Sequence, residues 1–231
     1  PNFDPNAFID GIDQKIWEEL NSSPDNPLLN RPLKGLYPPG STYKPFMALA
    51  ALSSGAKDPT EYINDPGYFV LGNHKFRDSS QGGHGQVDMK KSIVVSSDTY
   101  YYKLAIGMGV DLIHQHISPF GFGKQTGVDL SGEARGILPS SSWKLQRHGK
   151  QWLQGETPSI GIGQGYNTFT ILQMANATAI IANRGVMIKP RLFKGSREFN
   201  NSELANYVVT ESLKRGLILF YFLLTKTAIR I

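Results

Sequence analysis

Clusters of proline, glycine, asparagine and aspartate interrupt this chain often, so loops are expected to be plentiful. They stand at 21–27, 37–40 and 82–85, and each brings turn chemistry: a fixed φ from proline, access to positive φ from glycine, side-chain bonds to the local backbone from Asn and Asp. No repeat of fixed period and no low-complexity tract accompanies them. Helix signals follow several breaks. One helix is expected over 42–52, introduced by Pro38-Pro39-Gly40-Ser41 and closed by Ser53-Ser54-Gly55, with Pro45 in its tolerant first turn. Others are expected from Asp88 to about Ser96, from an N-cap at Asp98 through Tyr102 and Ala105 toward Gly107 and Gly109, and over 168–182, where Ile171, Met174, Ala175, Thr178 and Ala182 keep helical spacing. Strands are expected at 68–71, 185–188 and 217–224. Helices and strands mix without a βαβ alternation, which points to an α+β domain.

With 231 residues, about 40% of them apolar, the chain can bury one sizeable core, and one domain over 1–231 is expected. The absence of cysteine excludes disulfides, a thiolate nucleophile and thiolate metal ligands. The +5 formal charge is spread along the chain with no dense Lys/Arg run, so nucleic acid is not an expected partner. The apolar stretch at 217–224 is far short of the roughly 20 residues of a membrane-spanning helix, and Pro1-Asn2-Phe3-Asp4 does not open like a signal peptide.

Chemistry concentrates at two short motifs. Serine is a poor nucleophile until a base takes its proton, and Lys44, three positions after Ser41, would lie on the same helix face. A lysine made neutral by desolvation or nearby positive charge can act as that base, and a helix N-terminus favours the negative charge of an attacked carbonyl. Ser-x-x-Lys alone also describes an ordinary N-cap followed by a solvated lysine. Ser96-x-Asp98, at a helix-to-helix corner, adds a second hydroxyl and a polar group able to point into the same cleft.

Together these residues resemble the class B penicillin-binding proteins, and among them the elongation-specific branch of Gram-negative bacteria. The resemblance is carried by Asn30-Arg31, Gly35 through Pro45, Asp65-Pro66-Gly67, Gly83-His84-Gly85, Ser96-Ser97-Asp98-Thr99-Tyr100 and Gly161-Ile162-Gly163-Gln164-Gly165, and it covers roughly the first 190 residues. It implies a transpeptidase fold shared with serine β-lactamases: an antiparallel sheet with flanking helices and a helical subdomain carrying Ser41 and Ser96. It also implies roles. Ser41 would attack the penultimate D-alanine carbonyl of a peptidoglycan stem peptide, Lys44 would take its proton, Ser96 would relay a proton to the leaving amine, and Asp98 would bond Lys44 or the substrate amide. β-Lactams are the implied covalent inhibitors, and a wall-polymerising glycosyltransferase and other elongation proteins the implied partners. The implied place is the periplasm, on an inner-membrane anchor that this chain does not include. A related β-lactamase or β-lactam sensor, and a non-catalytic wall-peptide-binding module, are the competing readings.

The chain also departs from that family. Its third motif, Lys-Ser/Thr-Gly, is not found: Lys124-Gln125-Thr126-Gly127 is broken by Gln125, and Lys226-Thr227-Ala228 lacks the glycine. The pattern lapses over 191–231, and the interval 65–78 is short for the family, as if segments of a longer protein had been joined, or as in a transpeptidase that is truncated or rearranged and inactive. No cofactor is required by the chemistry. Asp65, Asp78 and His84 could hold a structural zinc, with Ser97 or water as a poor fourth ligand, but they also read as a turn, a surface pair with Arg77 and a loop. His114 and His116, two apart on a helix, do not share a face and are expected to pack or to meet solvent. Gly121-Phe122-Gly123-Lys124-Gln125-Thr126 fails the phosphate-loop pattern at Ser118 and Gln125, and the glycines from Gly161 read as a tight turn, since Tyr166 breaks a dinucleotide fingerprint. The run Tyr100-Tyr101-Tyr102 is expected to split between core and surface.

Overall fold

A computed structural model describes residues 3–192. The first helix, α1 (Gln14–Ser22), is capped by Asp13, and the one-turn α2 (Arg31–Lys34) by Asn30. The helix expected over 42–52 is in two pieces, a 3-10 turn at Gly40–Tyr43 that runs into α3 (Lys44–Ser54). Next come β1 (Ile63–Asp65), β2 (Tyr68–Leu71), β3 (His74–Arg77) and β4 (Gly85–Val87), of which β1 pairs with β4 and β2 with β3, both antiparallel. Leu71 faces His74, so the interval 65–78 is a continuous hairpin with a two-residue turn. The helices α4 (Met89–Val94) and α5 (Asp98–Ile117) follow, then α6 (Ser141–His148), α7 (Thr157–Gly161) and α8 (Ile171–Ala182).

Several boundaries move for local reasons. The N-cap of α5 is Ser97, whose hydroxyl accepts the Tyr100 amide at 3.1 Å, so Asp98 is already inside the helix. That helix does not stop at Gly107 but continues through a kink at Gly109 (φ 73°, ψ 159°). α8 starts at Ile171 because Thr170 and Gln173 form a reciprocal cap. The strand expected over 185–188 does not form: the Asn183 side chain donates to the Val186 carbonyl at 3.1 Å and the segment turns. Residues 217–224, the Lys226-Thr227-Ala228 run and nearly all of 191–231 lie outside the described residues. Among the described residues, strand pairing is limited to the two ribbons and to bridges at Tyr37–Phe169 and Ile137–Thr168, and the larger central sheet is not seen.

The core is built around α3. Phe46, Met47, Ala48, Ala50, Ala51 and Leu52 are each at most 2% exposed, so this helix is enclosed on all sides. Both α3 and α7 pack against α5. An aromatic cluster anchors the start of α3: Tyr43 stacks on Phe169 at 5.9 Å between centroids, Phe169 meets Phe122 at 4.5 Å, and Phe122 meets Phe46 at 5.0 Å. Contrary to expectation, Tyr100, Tyr101 and Tyr102 are all buried. A helix covered on several sides hides consecutive residues, and Tyr102 packs on Phe69 and Phe76 of the β2–β3 hairpin.

Candidate active site

Ser41 lies in the 3-10 turn and is exposed, while Lys44, the first residue of α3, is 2% exposed. In 3-10 geometry residues three apart eclipse, so the turn places Ser41 and Lys44 on one side more directly than an α-helix would. Across the cleft, the corner between α4 and α5 brings Ser96 and Asp98 to the lysine. The Lys44 ammonium donates to the Ser96 carbonyl at 2.7 Å, to Ser96 Oγ at 2.9 Å and to Asp98 Oδ1 at 2.7 Å. Its three protons are thus matched by three oxygens, which is what a buried ammonium requires. Of the two bonds expected of Asp98, the one to Lys44 is present.

The corner is strained. Ser96 has φ 55°, a left-handed conformation that a serine occupies only when its surroundings impose it. The turn that carries Ser41 is held by the loop after α7. There the Gly163 carbonyl accepts the Gly40 amide at 3.0 Å, and a Cβ on Gly163 (φ 72°) would lie 2.4 Å from the Gly40 carbonyl oxygen. Gly161, two residues earlier, lets α7 approach α5, since a Cβ there would stand 2.6 Å from both Ala105 Cβ and the Tyr101 carbonyl oxygen. The glycine run read as a tight turn therefore also presses on both elements that carry the site.

Of the tyrosine run 100–102, the one that lies against the site is Tyr101. Its ring centroid is 5.6 Å from Lys44 Nζ, beneath the site, and burial pushes its hydroxyl well above the ordinary tyrosine range. The spacing from Asp98, three positions on one helix, is the signal that could have found it.

The three candidate metal ligands do come together, with ligand atoms of Asp65, Asp78 and His84 all within 4.8 Å of one another. The expected turn at Asp65-Pro66-Gly67 and the loop at His84 are present, but Asp78 is not part of a surface pair with Arg77, because its carboxylate is buried and turned to the Ser80 and Thr99 amides. Asp65 accepts the Gly67 amide at 2.8 Å and the Ser97 hydroxyl at 2.7 Å. Burial pushes the Asp78 carboxyl up, but amide bonds from Thr99 and Ser80 outweigh it and hold the group below the usual carboxylate range. His84 Nε2 is buried without a hydrogen-bond partner, 3.8 Å from Asp78 Oδ1, and is the free donor atom a cation would want. The donor set, two carboxylates and an imidazole, suits zinc once a fourth ligand is added, and the Ser97 hydroxyl is already engaged by Asp65.

Elsewhere, His116 Nδ1 meets Ser53 Oγ at 2.7 Å and His114 Nδ1 meets the Pro139 carbonyl at 3.2 Å, so the two share no ligand. The amides of Thr126 and Gly127 are taken by the Glu133 carboxylate at 2.8 and 3.2 Å, which leaves no phosphate cradle there.

Comparison with known proteins agrees with this geometry. The penicillin binding protein transpeptidase domain family matches residues 1–215. The chain is 47% identical over 198 residues to the peptidoglycan D,D-transpeptidase MrdA of Acinetobacter baumannii, covering 85% of this chain and 30% of that protein. It is 42% identical over 200 residues to MrdA of Escherichia coli, covering 86% and 32% respectively, so it spans about a third of these relatives. Among solved structures, Pseudomonas aeruginosa PBP2 in complex with WCK 5153 aligns with a TM-score of 0.80 at 41% identity, over 94% of this chain and 52% of that one. The PBP2 of Helicobacter pylori, in its complex with MreC, aligns with a TM-score of 0.84 at 34% identity, over 94% and 41%. A fold, a paired set of motifs and their relatives thus converge, and the chain belongs to the penicillin-binding protein transpeptidase domain family.

Proposed function

We propose that this chain is the transpeptidase part of a peptidoglycan D,D-transpeptidase that cross-links stem peptides during cell-wall elongation. The observation that carries the reading is a buried Lys44 held at 2.9 Å from Ser96 Oγ and 2.7 Å from Asp98, three residues after an exposed Ser41. Ser41 Oγ attacks the penultimate D-alanine carbonyl as Lys44 takes its proton. The carbon–nitrogen bond breaks, Ser96 relays that proton from Lys44 to the departing D-alanine amine, and an ester remains on Ser41. The amine of a neighbouring stem attacks that ester, forms the cross-link amide and returns the proton to Ser41. β-Lactams acylate the same oxygen.

Placement in the periplasm beside an inner-membrane anchor follows from that substrate; among the described residues no helix is long and apolar enough to cross a membrane. Elongation proteins are the proposed partners, supported by the relative solved with MreC and by a peptidoglycan synthase complex that couples polymerization to crosslinking. Asp65, Asp78 and His84 are proposed to hold a structural zinc, which metal analysis of protein purified without chelator tests; metal at background level would dismiss it. The function itself is tested by mass spectrometry after incubation with a penicillin. One stable adduct on Ser41, absent in Ser41→Ala, is the expected result; rapid turnover of the adduct would indicate a β-lactamase, and no adduct on the full-length wild type would refute acyl transfer.

A further inference from the structure

Around the strained corner, successive residues face opposite ways. Ser96 and Asp98 reach Lys44, whereas Ser97 and Thr99 turn to the β-ribbons. The Ser97 hydroxyl donates to Asp65 Oδ2 at 2.7 Å, and the Thr99 amide donates to Asp78 Oδ2 at 2.7 Å. Ser97 and Thr99 are fully buried, Asp65 is 1% exposed and Asp78 8%. The carboxylates are themselves tied down through their other oxygens. Asp65 Oδ1 accepts the Gly67 amide at 2.8 Å, and Asp78 Oδ1 accepts the Ser80 amide and the Ser79 hydroxyl, each at 3.2 Å.

This arrangement accounts for a conformation that Ser96 would not adopt unaided. Left-handed backbone at a serine persists where neighbours over-determine it, and here a fixed carboxylate grips the residue after Ser96 and another grips the residue after Asp98. The Thr99 amide is also one of the N-terminal donors of α5 that the helix cannot satisfy itself, so Asp78 caps α5 from a separate element.

We propose that Asp65 and Asp78 are positioning residues for the acyl-transfer site, acting through Ser97 and Thr99 to hold Ser96 and Asp98 within hydrogen-bond reach of Lys44 before substrate arrives. The proposal rests on the reading of Ser41 as the acylated residue. Without the Ser97 hydroxyl, Ser96 relaxes from φ 55° toward the ordinary regions and its Oγ leaves the lysine. Substrate or β-lactam still docks, but the proton path to the leaving group is out of register, so the loss falls on the bond-making step and not on binding.

The test uses the full-length protein and a fluorescent penicillin, with stopped-flow kinetics separating the acylation rate constant from the affinity of the non-covalent complex. Ser97→Ala is expected to lower the rate constant about tenfold with the affinity within about twofold, Ser97→Thr to restore it, and the deficit to persist in chelator-treated protein. Asp65→Asn, which keeps the side-chain shape and replaces one acceptor, is expected to change the rate constant in the same direction and serves if Ser97→Ala does not fold. A folded Ser97→Ala protein that acylates at the wild-type rate, or a deficit that vanishes with chelator, overturns the proposal. A wild type with no adduct on Ser41 refutes the transpeptidase reading and this inference with it, whereas a wild type that acylates alongside an equally fast Ser97→Ala refutes the inference alone.

Discussion

Removing the Asp98 carboxylate is the perturbation that most directly tests whether Lys44 is held as described. The Lys44 side chain is 2% exposed and that of Asp98 17%, with 2.7 Å between their charged atoms. Stripping one partner from a fully buried ion pair costs about 3–5 kcal/mol, chiefly because the other charge is left without compensation. Here two bonds to Ser96 survive and Asp98 is partly solvated, so Asp98→Ala is expected to cost about 2–4 kcal/mol, whereas Asp98→Asn, which keeps a neutral acceptor, is expected to cost about 1 kcal/mol. The control is Lys44→Met, which fills a similar volume without charge. In that background Asp98→Ala should cost less than about 1 kcal/mol, leaving a coupling energy of about 2 kcal/mol between the two residues. Urea unfolding of the four proteins measures it, with equal denaturant slopes confirming that the compared states are alike. A cost below about 1 kcal/mol for Asp98→Ala in both backgrounds would refute the reasoning, because Lys44 would then be solvated and not enclosed.

Three further outcomes follow from the packing. Gly163→Ala places a methyl 2.4 Å from the Gly40 carbonyl oxygen and 2.7 Å from Tyr43 Cβ at φ 72°, and is expected to cost about 2 kcal/mol or more and to slow penicillin labelling of Ser41; wild-type melting and labelling would show that the loop does not press on the nucleophile turn. Phe169→Ala, which removes a ring that stacks on Tyr43 and meets Phe122, is expected to cost about 3–5 kcal/mol in denaturant unfolding. Burial holds the His116 imidazole below its ordinary value of 6.5, so the unfolded chain binds the proton more readily, and stability present above that value is lost as pH falls toward the folded value. The thermal midpoint should therefore drop on acidification below about pH 6.5 by more in the wild type than in His116→Gln; parallel curves for the two would show that His116 does not contribute.

What could be read from sequence was local. The Ser41–Lys44 and Ser96–Asp98 spacings, the proline in the first turn of α3 and the Asp88 cap of α4 each depend on residues within one or two turns, and all of these were legible. Boundaries shifted where a cap competed with a pattern, as at Ser97 and Thr170, and the strand over 185–188 was lost to a turn bond from Asn183. The burial of three consecutive tyrosines was not legible, because a single helix period allows only one covered face and says nothing of further elements packed around α5.

The corner at Ser96 shows where that boundary falls. Its own four residues, Ser96 to Thr99, contain the second motif in full view, yet the two carboxylates that fix its geometry stand 32 positions before Ser97 and 21 before Thr99. Asp65 and Asp78 were noticed for a different chemistry, as ligands, since two acids and an imidazole in one stretch suggest a cation before they suggest a clasp. The structure makes the two readings compatible, because each carboxylate oxygen that accepts one donor keeps a second lone pair. The hydrogen bonds from Ser97 and Thr99 occupy one oxygen of each carboxylate, Oδ2 in both. The corner is thus tied to two residues far from it in sequence, Asp65 at the end of β1 and Asp78 just after β3, and a motif confined to four consecutive residues carries no trace of them.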